Sequence, residues 1–168
     1  LTQPQAGGST GVWLGTDGGG LARLHRGGWE HVVAQPGGLP SNAVQCLLAT
    51  GGEGGEATLW VGTRHGGLAR RSGRRWTVID QKSGALPSDM VQALAAMPGD
   101  DGEPELWVGT RGGVAVFRLG RWQPPPESLQ LPHPSVQVLL ASRQASGAST
   151  MWVGTAGGVV SYSAGVAA

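Results

Sequence analysis

The chain has 168 residues, enough for one domain with a real core, and 12 basic against 11 acidic residues leave a formal net charge of +1. The charges are scattered, so no basic stripe points to nucleic acid and no acidic tail is present. No apolar run approaches the roughly 18 residues a spanning helix needs, and the one cysteine, Cys46, rules out an internal disulfide.

Glycine supplies 31 residues and proline 11, a level that reads as disorder only where the sequence has no period. Here there is one. Four copies of a phrase recur: Val12-Trp13-Leu14-Gly15-Thr16, Leu59-Trp60-Val61-Gly62-Thr63, Leu106-Trp107-Val108-Gly109-Thr110 and Met151-Trp152-Val153-Gly154-Thr155. Their tryptophans are 47, 47 and 45 residues apart. A period of about 45 residues with four short apolar stretches fits a four-stranded propeller blade. Helical repeats of similar length are the competing architecture and would need helices of about 10 residues or more, whereas glycine and proline turns break every period into short apolar stretches.

In chain order, the first phrase leads into Gly19-Gly20 and then Trp29. Leu39-Pro40-Ser41-Asn42 follows and feeds Val44-Gln45-Cys46-Leu47. The second period predicts strands over 43–49, 58–63, 68–71 and 76–79, named A to D. It carries Gly66-Gly67 and Trp76, and hands over through Leu86-Pro87-Ser88-Asp89 to Val91-Gln92-Ala93-Leu94. The third repeats this with Gly112-Gly113, Trp122, Leu131-Pro132-His133-Pro134 and Val136-Gln137-Val138-Leu139; the fourth shows Gly157-Gly158. Each leucine of a Leu-Pro pair precedes the next phrase tryptophan by 21 residues.

The expected fold is all-β: propeller blades of four antiparallel strands, about three and a half of them, in repeat units of roughly 1–38, 39–85, 86–130 and 131–168. Leu1 stands where a strand A would end, and the last unit stops before its strand D tryptophan. The expectation is therefore a fragment of a longer chain, with bare blade faces and edges that favour association with the remaining blades or another copy. Residues 1–10 do not resemble a signal peptide.

Trp13, Trp60, Trp107 and Trp152 recur at one position, which predicts structural packing between blades. Each would bury roughly 150–250 Å², worth about 4–6 kcal/mol at ~25 cal/mol per Å². Trp29, Trp76 and Trp122 are read the same way, in outer strands. The glycine pairs predict a tight turn with positive φ; a phosphate cradle would need a helix behind it, and none is visible. Ser41, Asn42, Ser88 and Asp89 are expected to bond the local backbone. Gln45, Gln92 and Gln137 are expected to bond between blades, with a channel-facing role as the alternative.

No catalytic constellation is present. His25, His31, His65 and His133 lack metal-ligand spacing, and neither a nucleophile elbow nor a cysteine–histidine signature occurs. Asp17, Glu53, Glu56, Asp80, Asp100, Asp101, Glu103 and Glu105 read mostly as solvated loop residues, not a paired acid and base. The segment is expected to be no enzyme and to need neither cofactor nor metal.

Strands that run up and down put the B–C and D–A turns at one end of each blade. The turn residues there differ between repeats while the frame does not: Asp17, then Arg64-His65, then Arg111, then Ala156, with His133 from a D–A turn. Asp17, Arg64, His65, Arg111 and His133 are thus the candidate ligand-binding residues. Arg64 and Arg111, in equivalent turns, would converge on a carboxylate or sulfate, and His65 would make such binding sensitive to pH. An oligosaccharide or another anionic or polar small ligand suits that rim.

The phrases resemble the two-component regulator propeller repeat, whose units run as Leu-Pro-Ser-Asn-x-Val, an apolar strand, Leu-Trp-Val-Gly-Thr and Gly-Gly-Leu. The resemblance covers nearly the whole chain and departs from the pattern at His133-Pro134. It implies a seven-bladed propeller on the periplasmic or extracellular side of a bacterial cytoplasmic membrane, sensing a ligand for a two-component or related transmembrane signalling protein. The alternatives are a protein-interaction scaffold and part of a propeller polysaccharide hydrolase or lyase.

Overall fold

Short alternating apolar stretches separated by glycine-rich turns cannot carry long helices, and they fold as strands. The computed structural model describes residues 2–4, 10–25, 27–51, 57–99, 103–143 and 148–164, and among these there is no helix. The strands are β1 (Thr2–Pro4), β2 (Thr10–Gly15), β3 (Leu21–His25), β4 (Gly28–Val32), β5 (Val44–Thr50), β6 (Thr58–Thr63), β7 (Leu68–Ser72) and β8 (Arg75–Ile79). They continue as β9 (Val91–Pro98), β10 (Pro104–Thr110), β11 (Gly113–Arg118), β12 (Arg121–Gln123), β13 (Val136–Arg143), β14 (Ser149–Thr155) and β15 (Gly158–Ala164). They form sheets β1-β2-β3-β4, β5-β6-β7-β8, β9-β10-β11-β12 and β13-β14-β15, each in chain order. Neighbouring strands within these sheets pair antiparallel. The fold is all-β, three four-stranded blades and a three-stranded fourth, and the second blade's strands lie within a residue of the expected bounds.

The Gly-Thr of each phrase closes the turn after the second strand. Thr63 Oγ1 donates to the Gly67 carbonyl at 2.8 Å and accepts from Gly66 N at 3.1 Å. Thr16, Thr110 and Thr155 repeat both bonds at their own turns. The second glycine of the pair supplies the backbone that the turn requires: Gly67 has φ +76°, a region costly for any side chain. The phrase glycine serves a different need, since a Cβ on Gly109 would come within 2.6 Å of Val136 Cγ1 from the next blade.

The chain divides into two compact units, residues 1–80 with 89–91 and residues 81–88 with 92–168. In the first unit, register places Trp13, Arg23 and Glu30 on one face of the first blade, and Leu59, Arg71 and Trp76 together on one face of the second. The two faces meet: Trp13, Leu21, Leu39, Val44, Leu59, Val61 and Ala69 form one buried cluster, with Trp76 packed against it. The Arg71 guanidinium lies 4.9 Å from the Trp13 ring centroid and 5.7 Å from that of Trp76. In this unit the trailing face of the first blade, which carries the phrase tryptophan, is thus covered by the leading face of the second.

The second unit repeats the arrangement with other side chains. Trp107, Val114 and Val116 of the third blade share a core with Leu139, Met151 and Val153 of the fourth. The Trp107 and Tyr162 rings lie 5.5 Å apart at 32°. Dispersion and lost hydration of the indole, not polar contacts, dominate such packing. The indole N–H groups are also satisfied: Trp60 Nε1 donates to Thr50 Oγ1 at 3.0 Å, and Trp107 Nε1 to Glu105 Oε2 at 3.0 Å.

Several residues stand differently from the sequence reading. Trp152 is exposed, because no later blade among the described residues covers its ring; its Nε1 still donates to Ser142 Oγ at 3.1 Å. Trp29 is exposed for the mirror reason: it lies on the leading face of the first blade, paired with Leu24. Glu105 is no solvated loop acid but a buried carboxylate bonded to Trp107 and 3.5 Å from Arg118 Nε. Gln137 is exposed. Leu1, Glu53, Glu56, Asp100 and Asp101 lie outside the described residues.

Candidate functional site

In the second, third and fourth blades the B–C turn and the D–A turn stand side by side. A Cβ on Gly66 would lie 2.8 Å from Pro40 Cβ, one on Gly112 2.8 Å from the Pro87 carbonyl oxygen, and one on Gly157 2.9 Å from His133 Cβ. The bare glycine lets the Leu-Pro turn close over the Gly-Gly turn, and the two make one rim. Backbone bonds stitch that rim between blades. The Asn42 carbonyl accepts from Gly18 N at 3.0 Å and Gly20 N at 2.9 Å, and the Asp89 carbonyl accepts from Gly67 N at 2.9 Å. Ser41 Oγ accepts from Ala43 N and Asn42 Oδ1 from Ala34 N, as turn residues of this kind do.

On this frame the structure brings two of the five candidate residues together. Arg64 Nη2 donates to Asp17 Oδ2 at 3.0 Å, joining the B–C turns of the first and second blades at the surface. The two positions are 47 residues apart, one repeat period, so they are the same turn position with opposite charge. That equality of spacing was the signal available in the sequence. Gln45 adds a third group: in the amide orientation that satisfies it, its oxygen accepts from Arg64 Nη2 at 3.2 Å and Nε at 3.3 Å. The recurrent glutamine here orients an arginine of its own blade. In the third blade Gln92 Oε1 accepts from Ser135 Oγ, just ahead of the fourth blade, at 3.1 Å, which is the expected bond between blades.

His65 is exposed beside Arg64. Arg111 is exposed in the turn between β10 and β11 of the second unit. His133 occupies the place of Ser41 in its turn and takes over its bond: Nδ1 accepts from Ser135 N at 3.0 Å. The His133-Pro134 departure from the repeat therefore keeps the turn, with an imidazole nitrogen in place of a hydroxyl, and leaves Nε2 as the nitrogen a ligand would meet.

A guanidinium carries five donors, and Asp17 and Gln45 engage one edge of Arg64. The side chain is thus held in one orientation at the rim with donors to spare, the arrangement that favours a carboxylate, sulfate or polyhydroxyl group. The surface pair itself contributes little stability, about 0–1 kcal/mol. Burial pushes the thiol of Cys46, on the strand beside Gln45, up to about 12, against a smaller lowering by a backbone bond at Gly62, which disfavours the thiolate. Among the described residues no group of three His, Cys, Asp or Glu side chains stands where it could hold a metal ion.

No family model matches the chain, and no curated protein matches it. Among solved structures it is similar to the crystal structure of the extracellular domain of a protein described as a hybrid two component system from B. thetaiotaomicron, at TM-score 0.65 and 20% identity. The similarity covers 90% of this chain and 20% of that one, so the chain spans a fifth of the length of the structure it matches. It is a likeness of fold.

Proposed function

We propose that this chain is a ligand-sensing propeller segment of an extracytoplasmic sensor domain in a two-component or related transmembrane signalling protein. The observation that carries the reading is the rim: a frame of threonine-closed turns repeated in every blade, topped by residues that change from blade to blade. A purely structural repeat has no need of Asp17, Arg64-His65 and Arg111 at the same position. The fold likeness to an extracellular domain of a hybrid two component system supports the periplasmic or extracellular location. In this reading the described residues bind and do not catalyse. In the first unit Arg64 and His65, and in the second unit Arg111 and His133, supply guanidinium donors and ring nitrogens, each unit by itself, to an oligosaccharide or another anionic or polar small ligand.

The test is calorimetric titration of the intact protein with a panel of uronic-acid and sulfated oligosaccharides, wild type beside the Arg64→Ala/Arg111→Ala double variant. One member of the panel should bind, and the double variant should lose about 10- to 100-fold in affinity with an unchanged melting curve. A folded double variant that binds as tightly as wild type overturns the rim reading.

A further inference from the structure

Each unit builds the same construction at its rim and fills it with different chemistry. In both, the phrase glycine seats the next blade in one register: a Cβ on Gly15 would meet Val44 Cγ1 at 2.5 Å, and one on Gly109 would meet Val136 Cγ1 at 2.6 Å. At the turn that follows, Arg64 N donates to the Ala43 carbonyl at 2.9 Å, and Ala156 N donates to the Ser135 carbonyl at 3.0 Å. Ala156 therefore stands in the fourth blade where Arg64 stands in the second. Arg111 stands in the third blade where Asp17 stands in the first. In the first unit an acid of the earlier blade meets an arginine of the later one. In the second unit the earlier position holds the arginine, and the later position holds only a methyl group.

The exchange leaves Arg111 in a different state from Arg64. Arg64 is engaged by Asp17 at 3.0 Å and by Gln45 of its own blade. Arg111 makes no ion pair or side-chain hydrogen bond among the described residues. The glutamine of its own blade, Gln92, is taken by Ser135 Oγ at 3.1 Å, and an alanine side chain accepts nothing. Beside Ala156 lies His133, since a Cβ on Gly157 would come 2.9 Å from His133 Cβ. His133 Nδ1 accepts from Ser135 N at 3.0 Å. Only an unprotonated Nδ1 accepts, so the neutral ring that makes this bond carries its hydrogen on Nε2. An arginine side chain is long enough to span the distance that Arg64 and Asp17 bridge in the first unit. Arg111 and His133 then offer donors alone, and an anionic oxygen group answers donors best, through charge-assisted bonds.

We infer that the second unit holds a carboxylate- or sulfate-binding subsite, with the anionic group seated over Ala156 between Arg111 and His133 Nε2. The subsite rests on the reading of the rim as a ligand surface, and it assigns the charge of the ligand to one place there. Asp17 is the counterpart of that group built into the first unit.

The experiment is calorimetric titration of the intact protein with two probes, a galacturonic acid trisaccharide and a sulfated trisaccharide. Each is set beside its neutral form, methyl-esterified or desulfated. At least one anionic probe should bind wild type with Kd below about 1 mM, and its neutral form at least about 10-fold more weakly. Whichever probe binds tells carboxylate from sulfate. Arg111→Ala should lose about 10- to 100-fold in affinity for that probe. His133→Ser, which restores the turn residue of the second blade and removes the ring, should lose about 5-fold or more. Ala156→Asp gives Arg111 an acceptor from the chain itself. It should weaken the anionic probe about 10-fold or more with a melting temperature no lower than that of wild type. That combination separates occupation of the subsite from damage to the fold. A wild type that binds neither anionic probe at about 10 mM, or binds the neutral forms as well, overturns the inference. So do folded Arg111→Ala and Ala156→Asp variants that bind as tightly as wild type. In that last case the Arg64→Ala/Arg111→Ala double variant decides the rim reading separately: weakened binding keeps the rim and moves the charge to Arg64.

Discussion

The two units solve one packing problem with different chemistry. In the first, the indole of Trp13 lies against the cationic Arg71 of the next blade, with its cross-strand neighbour Arg23 on the same ring at 5.2 Å. In the second, the indole of Trp107 lies against the neutral, aromatic Tyr162. Arg71 and Tyr162 occupy the same register position. The position therefore demands a long, flat side chain that covers a ring, and either a guanidinium plane or a phenol meets the demand. The ionic version has a consequence the aromatic one lacks. Burial, reinforced by Arg23, lowers the Arg71 guanidinium below the usual arginine range, and Glu30 works in the other direction. Glu30 stands 3.7 Å from Arg23, so a carboxylate accompanies the paired arginines.

The comparison is broken most directly at the tryptophans themselves. Trp107→Ala should destabilise by about 3–5 kcal/mol, the usual cost of emptying a buried aromatic site, whereas Trp152→Ala at the same phrase position should cost about 1 kcal/mol or less. Denaturant melts of the two variants at low protein concentration measure the difference. Equal losses would mean that the phrase tryptophan stabilises its own blade and not the contact with the next.

A second pair sharpens the point about chemistry. Arg71→Ala uncovers Trp13 and Trp76 and should cost about 2 kcal/mol through lost stem packing and cation–π contact. Arg71→Tyr installs the second unit's solution and should stay within about 1 kcal/mol of wild type. A tyrosine variant as unstable as the alanine one would show that the charge, with Arg23 and Glu30 around it, is indispensable.

The turn frame, common to both units, should respond alike in each. Thr63→Val and Thr110→Val keep the shape and remove a buried hydroxyl with two bonds, and each should cost about 1–2 kcal/mol by thermal melt. A clear difference between them would mark one rim as held by other contacts.

The smallest effect expected is a gain. Leu119 sits at φ +50°, in the left-handed region, and its side chain is exposed, so the turn strains it without return from packing. Leu119→Asn should stabilise by about 0.5–1 kcal/mol, since asparagine tolerates that backbone and leucine does not. A loss on that substitution would show that the leucine packs in solution.

The sequence alone determined the blades. Spacing located every phrase strand, the glycine pairs located their turns, and up-and-down connection placed the B–C and D–A turns at one end. These features were legible because they are local: period-two alternation, positive φ and hydroxyl bonds to a nearby backbone depend on a handful of neighbouring residues. What a repeated residue does was not legible, because that depends on what stands against it. Trp107 and Trp152 occupy the same phrase position and differ in burial; Trp29 and Trp76 occupy equivalent positions in β4 and β8 and differ in cover; Glu105 has a loop acid's neighbours in sequence and Trp107 and Arg118 beside it in space. The Asp17–Arg64 pair and the hold of Gln45 on that arginine belong to the same class. Only the stacking of one blade on the next decides which copy of a repeat is buried, which charge finds its opposite and which face is left bare, since burial and pairing are properties of contacts between segments and not of a segment.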